Sequence, residues 1–227
     1  MSTRVRPPAD PVGEALRGPQ KRFAEHRGRI RRYDPDVSVF YAHPPVLDDR
    51  DWTDLAELAG PGGTVGLRDY RAPLPDGWRK LRTFPLVMYS GADVRTRPDP
   101  AALVLGPDDV DDMLALIDVA QPGPFSRRTI ELGRYLGFRD ADGALIAMAG
   151  ERMRPPGWGE ISAVATAPQA RGQGLAERLI RAVGAHIARR GDVPFLHTTA
   201  DNPARALYER MGFELVEQVD LDIVQVP

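Results

Sequence analysis

The feature that most constrains the fold is a glycine-containing run, Gln-Ala-Arg-Gly-Gln-Gly, at residues 169–174. Residues 160–166 before it are typical of a β-strand, and the residues after it have the apolar spacing of an amphipathic helix. The apolar residues with that spacing are Leu175, Leu179, Val183 and Ile187. Glycine permits positive φ and close approach of a ligand to the main chain. Because a helix start also offers unpaired N–H groups, the junction predicts a pyrophosphate site, whereas the glycines alone would equally fit a tight turn.

A second motif occupies residues 202–213 and has the sequence Asn-Pro-Ala-Arg-Ala-Leu-Tyr-Glu-Arg-Met-Gly-Phe. Its spacing predicts a short helix that ends at Gly212, with Asn202 as a cap and Pro203 in the first turn. Tyr208 lies on the same predicted helix face as Ala204, Leu207 and Met211. By spacing alone, Tyr208 is therefore an ordinary core residue.

Composition and charge describe a globular chain of 227 residues, enough for one large domain or two small ones. The formal net charge of -2 argues against nucleic acid or an anionic membrane as the main partner. Residues 1–32 are basic, with nine Lys or Arg against three Asp or Glu, and we interpret them as a solvated surface. No signal-peptide core and no run of ~20 apolar residues is present, so we expect a cytoplasmic protein.

The residues that bind metals or form covalent thiol intermediates are scarce. The absence of cysteine excludes disulfides, thiolate metal ligands and a cysteine nucleophile. The four histidines, His26, His43, His186 and His197, are scattered without the spacing of a zinc site. We therefore expect no metal.

A proline-containing stretch at residues 95–100, typical of a connecting loop, predicts a boundary between an N-terminal α/β segment, 1–98, and a second domain, 99–227. In the first segment we expect a helix at 17–27 and a strand over 78–89 that is broken by Pro85. In the second, strands at 160–166 and 195–199 flank the long helix, and their right-handed connection should make them parallel. Two further strands, 213–219 and 221–226, are expected to follow.

Taken together, the two motifs resemble those of the GNAT superfamily of acetyl-CoA-dependent N-acetyltransferases. The family signature Q/R-x-x-G-x-G/A is matched by residues 169–174, and its later tyrosine and Gly-Phe pair by Tyr208, Gly212 and Phe213. The FR47-like subgroup is the most similar, and the resemblance covers the C-terminal half. It implies an α/β fold with a mixed, splayed β-sheet flanked by helices, preceded by a smaller α/β segment that could be a degenerate GNAT-like half.

The resemblance also implies a set of residues that bind the co-substrate acetyl-CoA. Backbone amides from Arg171 to Ala176 would hold the pyrophosphate, with Arg171 or Arg178 near the phosphates. The backbone of residues 164–166 would pair with the pantetheine arm. The full set is Val164, Ala165, Thr166, Gln169, Arg171, Gly172, Gln173, Gly174, Leu175, Ala176 and Asn202. Asn202 departs from the family pattern because it lies six rather than seven residues before the tyrosine, so it could act only as a helix cap.

For catalysis, the resemblance implies direct attack of a primary amine on the thioester, in a ternary complex with acetyl-CoA. Tyr208 would protonate or hydrogen-bond the departing thiolate. Glu160 is the first candidate for general base, directly or through water, and Glu131, Glu151 and His197 remain alternatives. The acceptor would be a small-molecule or peptide amine, and a homodimer is compatible with the sequence.

Two other kinds of site fit the residues less well. A dinucleotide-binding fingerprint would need glycine where Glu177 stands, and no lysine follows the glycines as in a P-loop.

An acyl-CoA-binding or regulatory module without turnover is the alternative function from another class.

Overall fold

The structure is a computed structural model that describes residues 5–227. Its α-helices are α1 (Pro11–Arg17), α2 (Asp49–Ala59), α3 (Val110–Ala120), α4 (Leu175–Ala188) and α5 (Arg205–Met211). Short 3-10 helices occupy Lys21–Phe23, Pro107–Asp109, Thr129–Leu132 and Pro168–Ala170. The strands are β1 (Ala24–Arg27), β2 (Ile30–Tyr33), β3 (Tyr41–Ala42), β4 (Thr64–Arg68), β5 (Arg79–Ser90), β6 (Leu103–Leu105), β7 (Tyr135–Arg139), β8 (Leu145–Glu151), β9 (Trp158–Thr166), β10 (Val193–Thr199) and β11 (Glu214–Gln225).

Eight strands form one sheet in the order β4, β11, β5, β10, β9, β8, β7, β6, and β1 to β3 form a small separate sheet. Strands β9 and β10 are parallel, as the strand–helix–strand pattern predicts. The other neighbours in the large sheet are antiparallel. The predicted fold class, an α/β protein with a mixed sheet flanked by helices, is confirmed.

The central position of β5 connects the N-terminal segment to the rest of the chain. This strand precedes the expected boundary near residue 98, yet it lies between β10 and β11 and pairs with both. The division into domains 1–98 and 99–227 stays a prediction, as does the origin of the first segment as a degenerate copy. Backbone pairing across the boundary nevertheless ties the two segments together.

Three local expectations were wrong. Residues 17–27 are not one helix, because α1 ends at Arg17 before Gly18 and Pro19, and β1 follows. Pro85 does not break β5; it lies within the strand opposite Asp220. The two expected C-terminal strands are one strand, β11, because Val219, Asp220 and Leu221 pair without interruption with Leu86, Pro85 and Phe84 of β5.

The core is layered on both faces of the large sheet, because successive side chains of a strand point to opposite faces. On β10, Leu196 packs in a cluster that contains Leu179 and Val183 of α4. Its neighbour Phe195 packs in a second cluster, with Leu16 and Tyr33 of the N-terminal segment. The N-terminal segment therefore covers the sheet face opposite to α4.

Candidate functional site

The glycine run forms an open loop between the end of β9 and the start of α4. Gly172 and Gly174 have φ angles of 78° and 74°. An added Cβ at either position would meet no atom of the described chain within 4 Å. Glycine is thus required here by the backbone conformation and not by crowding within the protein. Residues 171–174 are exposed, so their main chain is accessible to a ligand.

The N-terminus of α4 is available to an anion. Gly174 is the N-cap residue, and no side chain in the described part of the chain caps the helix. The amides of Leu175 and Ala176 belong to the first turn, where N–H groups have no intrahelical acceptor. Together with the helix dipole, these donors favour a phosphate or pyrophosphate.

An opening in the sheet leads to this loop. The parallel pairing of β9 with β10 runs only from Trp158 to Glu160, opposite Val193 to Phe195. Residues 161–166 of β9 continue alongside β8 but have no partner on the β10 side. The resulting split is bordered by the backbone of Val164 and Thr166, which pairs with no strand on the β10 side, and an extended ligand could pair with it.

A bulge in β9 lies within this split, and no sequence pattern indicated it. Gly150 of β8 pairs with Ser162, whereas Met148 pairs with Ala165, so β9 contains one extra residue. Ala163 there has a φ of 50°, a conformation that non-glycine residues rarely adopt. Bulges re-aim backbone groups and are common beside active sites.

The two arginines near the loop differ in their contacts. Arg178 donates from Nε and Nη2 to Asp99, at 2.7 and 3.1 Å, and its guanidinium lies 4.3 Å from the centre of the Phe138 ring. Arg171 is exposed, and its guanidinium donates to a single acceptor within residues 5–227, the carbonyl oxygen of Thr166, at 3.4 Å. Arg171 is therefore the more available of the two for a phosphate. Gln169 and Gln173 are exposed beside it.

Tyr208 is a buried residue of α5 with an unpaired hydroxyl group. Its ring centre lies 6.2 Å from that of Tyr89 and 6.1 Å from that of Phe213, each edge to face. Its hydroxyl makes no hydrogen bond with the described residues, and burial raises its pKa to about 12. The packing agrees with a core residue, while the unpaired hydroxyl leaves a donor free for a ligand.

Asn202 has two local hydrogen bonds. Its Oδ1 accepts from the amide of Ala204 at 2.8 Å, and its Nδ2 donates to Oγ1 of Thr198 at 2.6 Å. These bonds shape the turn before α5, but the expectation that Asn202 caps the helix and Pro203 lies in its first turn was wrong. The helix begins at Arg205, its N-cap residue is Ala204, and no side chain among the described residues caps it. The contact of Asn202 with the cofactor stays a prediction.

Glu160 is fully buried and held by four donors. Arg152 donates from Nε to Oε2 at 2.9 Å and from Nη2 to Oε1 at 2.7 Å. The amide of Met153 lies 3.3 Å from Oε2, and Nδ1 of His197 lies 3.1 Å from Oε1. Burial by itself would raise the pKa of Glu160, but the charge and hydrogen bonds of Arg152 outweigh it and hold the pKa well below its usual range. A carboxylate in this setting is a weak direct proton acceptor.

The alternative bases Glu131 and Glu151 lie in ion pairs. Glu131 is paired with Arg128, with an Nε–Oε1 distance of 2.7 Å, and the hydrogen bond from that guanidinium lowers its pKa. Glu151 is buried against Arg190, and burial raises its pKa despite this ion pair.

Within residues 5–227, no group of three or more His, Asp or Glu side chains could hold a metal ion. No helix in that range is long and apolar enough to cross a membrane.

The N-terminal segment supports the Glu160 site through residues that sequence reasoning missed. Buried Gln20 donates to the carbonyl oxygens of Leu132 and Arg152, at 3.1 and 2.7 Å, and accepts from the hydroxyl of Tyr33 at 2.7 Å. The Arg152 guanidinium lies 4.5 Å from the centre of the Phe40 ring. No local pattern marks the bonds from Gln20 to Leu132 and Arg152, because they join positions 112 and 132 residues apart.

A split between two strands of a mixed sheet leads to an uncapped, glycine-rich helix start, and the two features together suit an elongated ligand with an anionic group. A family model described as FR47-like protein matches residues 135–220. A protein of the GNAT family from Novosphingobium aromaticivorans is 39% identical, with a TM-score of 0.85, and the match covers 96% of this chain and 97% of that chain. A GCN5-related N-acetyltransferase from Kribbella flavida shares the fold at 19% identity, with a TM-score of 0.65 and coverage of 95% and 94%.

No match to this chain was found among curated proteins. The identity and coverage of the Novosphingobium relative show that the chain belongs to the GNAT family of acetyltransferases. The predicted family and enzyme class are confirmed.

Proposed function

We propose that the protein transfers an acetyl group from acetyl-CoA to a primary amine by direct attack in a ternary complex. The observation that carries this proposal is the continuity of the β9–β10 split with the uncapped start of α4. The split offers strand-like backbone partners to the pantetheine arm, and the helix start offers amides to the pyrophosphate. One elongated ligand would use both features.

The proposed co-substrate site follows this geometry. The amides of residues 172–176 would bind the pyrophosphate, whereas the amide of Arg171, expected in the same set, donates to the carbonyl oxygen of Pro168 at 3.3 Å. The Arg171 side chain would add a charge at the edge of the pyrophosphate. The backbone of Val164, Ala165 and Thr166 would pair with the pantetheine arm, with Gln169 and Gln173 bordering the loop. Asn202 would contact the arm only in addition to its bonds with Thr198 and Ala204.

The reaction requires a neutral amine. Its lone pair attacks the carbonyl carbon of the thioester, the C–N bond forms, the C–S bond breaks and the coenzyme leaves as a thiolate. The nitrogen releases one proton to a base or to water. An amine with a pKa of ~10.4 is neutral to less than ~0.1% at pH 7, so a lysine-like acceptor needs a base more than an α-amine with a pKa of ~8.

Tyr208 would stabilise the leaving thiolate by hydrogen bonding. Complete proton transfer from a phenol with a pKa of about 12 to a thiolate with a pKa of ~8.5 is uphill by roughly 5 kcal/mol. A hydrogen bond from the unpaired hydroxyl group avoids this difference. We therefore assign Tyr208 the role of hydrogen-bond donor to the thiolate.

The acceptor would be a small-molecule or peptide amine that reaches the sheet face covered by the N-terminal segment. That face carries the Glu160 cluster and packs against Tyr33 and Phe40. The segment would therefore take part in forming the acceptor site.

The test combines acetyl-CoA titration with an amine panel assayed by thiol release, using two matched variants. Gly174 and Gly191 lie at opposite ends of α4, have φ angles of 74° and 81°, and leave open space for a Cβ. Gly174→Ala and Gly191→Ala should therefore carry similar backbone strain. We expect only Gly174→Ala to weaken acetyl-CoA binding, by about tenfold, or 1.4 kcal/mol. An equal loss of acetyl-CoA affinity in both variants would contradict the proposed site. Tight binding of acetyl-CoA by the native protein without turnover of any amine would favour a non-catalytic acyl-CoA-binding module.

A further inference from the structure

His197 lies where β9 and β10 separate. It follows the last parallel pair, Glu160 with Phe195, by two residues on β10. Its ring packs edge to face on Phe195, with 5.5 Å between ring centres, and its side chain is 10% exposed. The imidazole is therefore held by packing at the inner end of the split while retaining a small accessible surface.

The hydrogen bonds that Glu160 already accepts occupy the lone pairs with which its carboxylate could take a proton from a substrate. A carboxylate offers about four lone-pair positions. Two are used by Arg152, one by the Met153 amide and one by His197. A substrate amine could reach Glu160 only by displacing one of these donors.

The same contacts define the protonation of the imidazole ring. Glu160 is ionised because Arg152 holds its pKa low, so its Oε1 can only accept. Nδ1 of His197, 3.1 Å away, must then carry the proton and donate it. In the neutral ring, Nε2 consequently has a free lone pair, and it has no hydrogen-bond partner among the described residues.

We propose that His197, through Nε2, takes the proton from the acceptor amine, and that Glu160 is a positioning residue that fixes the ring and its tautomer. This inference rests on the acetyl transfer proposed above. As the C–N bond forms, an amine proton passes to Nε2, and the C–S bond breaks to release thiolate. The resulting imidazolium faces the negative charge of Glu160, and it then loses its proton to water or to the thiolate.

The charged groups around the ring are few. Glu160 approaches from β9, with Arg152 directly behind it. Met88 of β5 lies opposite His197 in the sheet and is uncharged. Tyr33 and Tyr135 interact electrostatically with Arg152 and Glu160. Burial raises the pKa of both phenols so far that they stay neutral at the pH of the assay. Glu160 is therefore the charge that responds to protonation of the ring.

The first test measures the tautomer without any acceptor. Long-range 15N–1H NMR spectra of the full chain distinguish Nδ1–H from Nε2–H imidazole, and His197→Gln identifies the resonance. We expect neutral His197 to be the Nδ1–H form, and Glu160→Gln to remove this bias. An Nε2–H form in the native protein would overturn the proposal.

The second test uses acetyl-CoA and the amine that the panel shows to be acetylated. His197→Gln should lower kcat/KM by about 100-fold or more. Acetyl-CoA affinity and thermal stability should change little. The pH profile of His197→Gln should lose the acidic limb that protonation of a general base produces. Glu160→Gln, which leaves the ring in place but removes its fixed partner, should lower kcat more than it raises KM. Added imidazole should partly restore His197→Ala.

The matched control is His26→Gln, since His26 is exposed on β1. It should leave rate and profile unchanged. A retained acidic limb in His197→Gln, or no effect of imidazole on a folded His197→Ala, would overturn the role of His197. If the native protein binds acetyl-CoA but acetylates no amine, the proposed function fails and this role fails with it, whatever tautomer the spectra show.

Discussion

Glu160 and Arg152 form a buried two-point ion pair, with Nε–Oε2 and Nη2–Oε1 distances of 2.9 and 2.7 Å. The pair lies at the last point where β9 and β10 are joined, and the two strands separate beyond it. The N-terminal segment closes over it through Phe40, Gln20 and Tyr33. Stability and site geometry should therefore both depend on this pair.

Removal of one partner of the pair should strongly destabilise the fold. Arg152→Met leaves a buried carboxylate without its counter-charge, and we expect a loss of about 3–5 kcal/mol in the free energy of unfolding, measured with urea. The double variant Arg152→Met, Glu160→Met should recover most of this loss, because neither charge then remains buried. A double variant as unstable as the single one would contradict this account.

The pair should also shape the pH dependence of stability. Arg152 lowers the pKa of Glu160 in the folded chain. The contribution of Glu160 is therefore fully present above its unfolded value of ~4.3 and is lost as the pH falls toward the folded value. Between roughly pH 5 and pH 3, Glu160→Gln should lose stability less steeply than the native protein. If the free energy of unfolding falls equally steeply with pH in the two proteins, Glu160 has the same pKa in the folded and unfolded chain, and this account is contradicted.

Tyr208 and Tyr135 provide a matched pair of buried phenols. Tyr208→Phe should spare acetyl-CoA binding and lower kcat by roughly 10- to 100-fold, the size of one hydrogen bond to a charged group. Tyr135→Phe should leave kcat unchanged and stabilise the protein by about 1 kcal/mol, because the buried Tyr135 hydroxyl has no partner among the described residues. Thiol-release kinetics and urea unfolding measure both effects, and an unchanged kcat in Tyr208→Phe would exclude it as the donor.

The bulge in β9 should store measurable strain. Ala163 has a φ of 50°, so Ala163→Gly should stabilise the protein by about 1 kcal/mol. Ala165→Gly, in the same strand but with an ordinary conformation, should destabilise it by about 0.5–1 kcal/mol. Urea unfolding compares the two, and equal destabilisation would show that the bulge is not strained.

Local patterns were sufficient for the parts of the fold whose causes are local. The apolar spacing after Gly174 predicted α4, and its four residues Leu175, Leu179, Val183 and Ile187 are all buried. The positive φ angles of Gly172 and Gly174 agree with the need for glycine in the loop. The motif and the helix lie within twenty residues of each other in the chain, so no distant contact was required.

Features that depend on distant partners could not be predicted. Nothing in residues 79–90 indicates that β5 inserts between β10 and β11, since a strand pattern does not name its neighbours. Glu160 was expected to act as a base because its position on the strand was visible, while the support that Arg152 receives from Gln20, 132 residues away, was not. The helix expected at 17–27 failed because α1 ends at Arg17 before Gly18 and Pro19, and residues 24–27 pair with β2 instead.

The central claim is that the main chain at the start of α4 binds the diphosphate of acetyl-CoA. It is tested most directly by titrating the 15N-labelled protein with acetyl-CoA and following the amide resonances of residues 172–176. These resonances should shift together and saturate with the same dissociation constant that calorimetry gives. Saturable binding that leaves them unmoved, or no binding at all, would contradict the account.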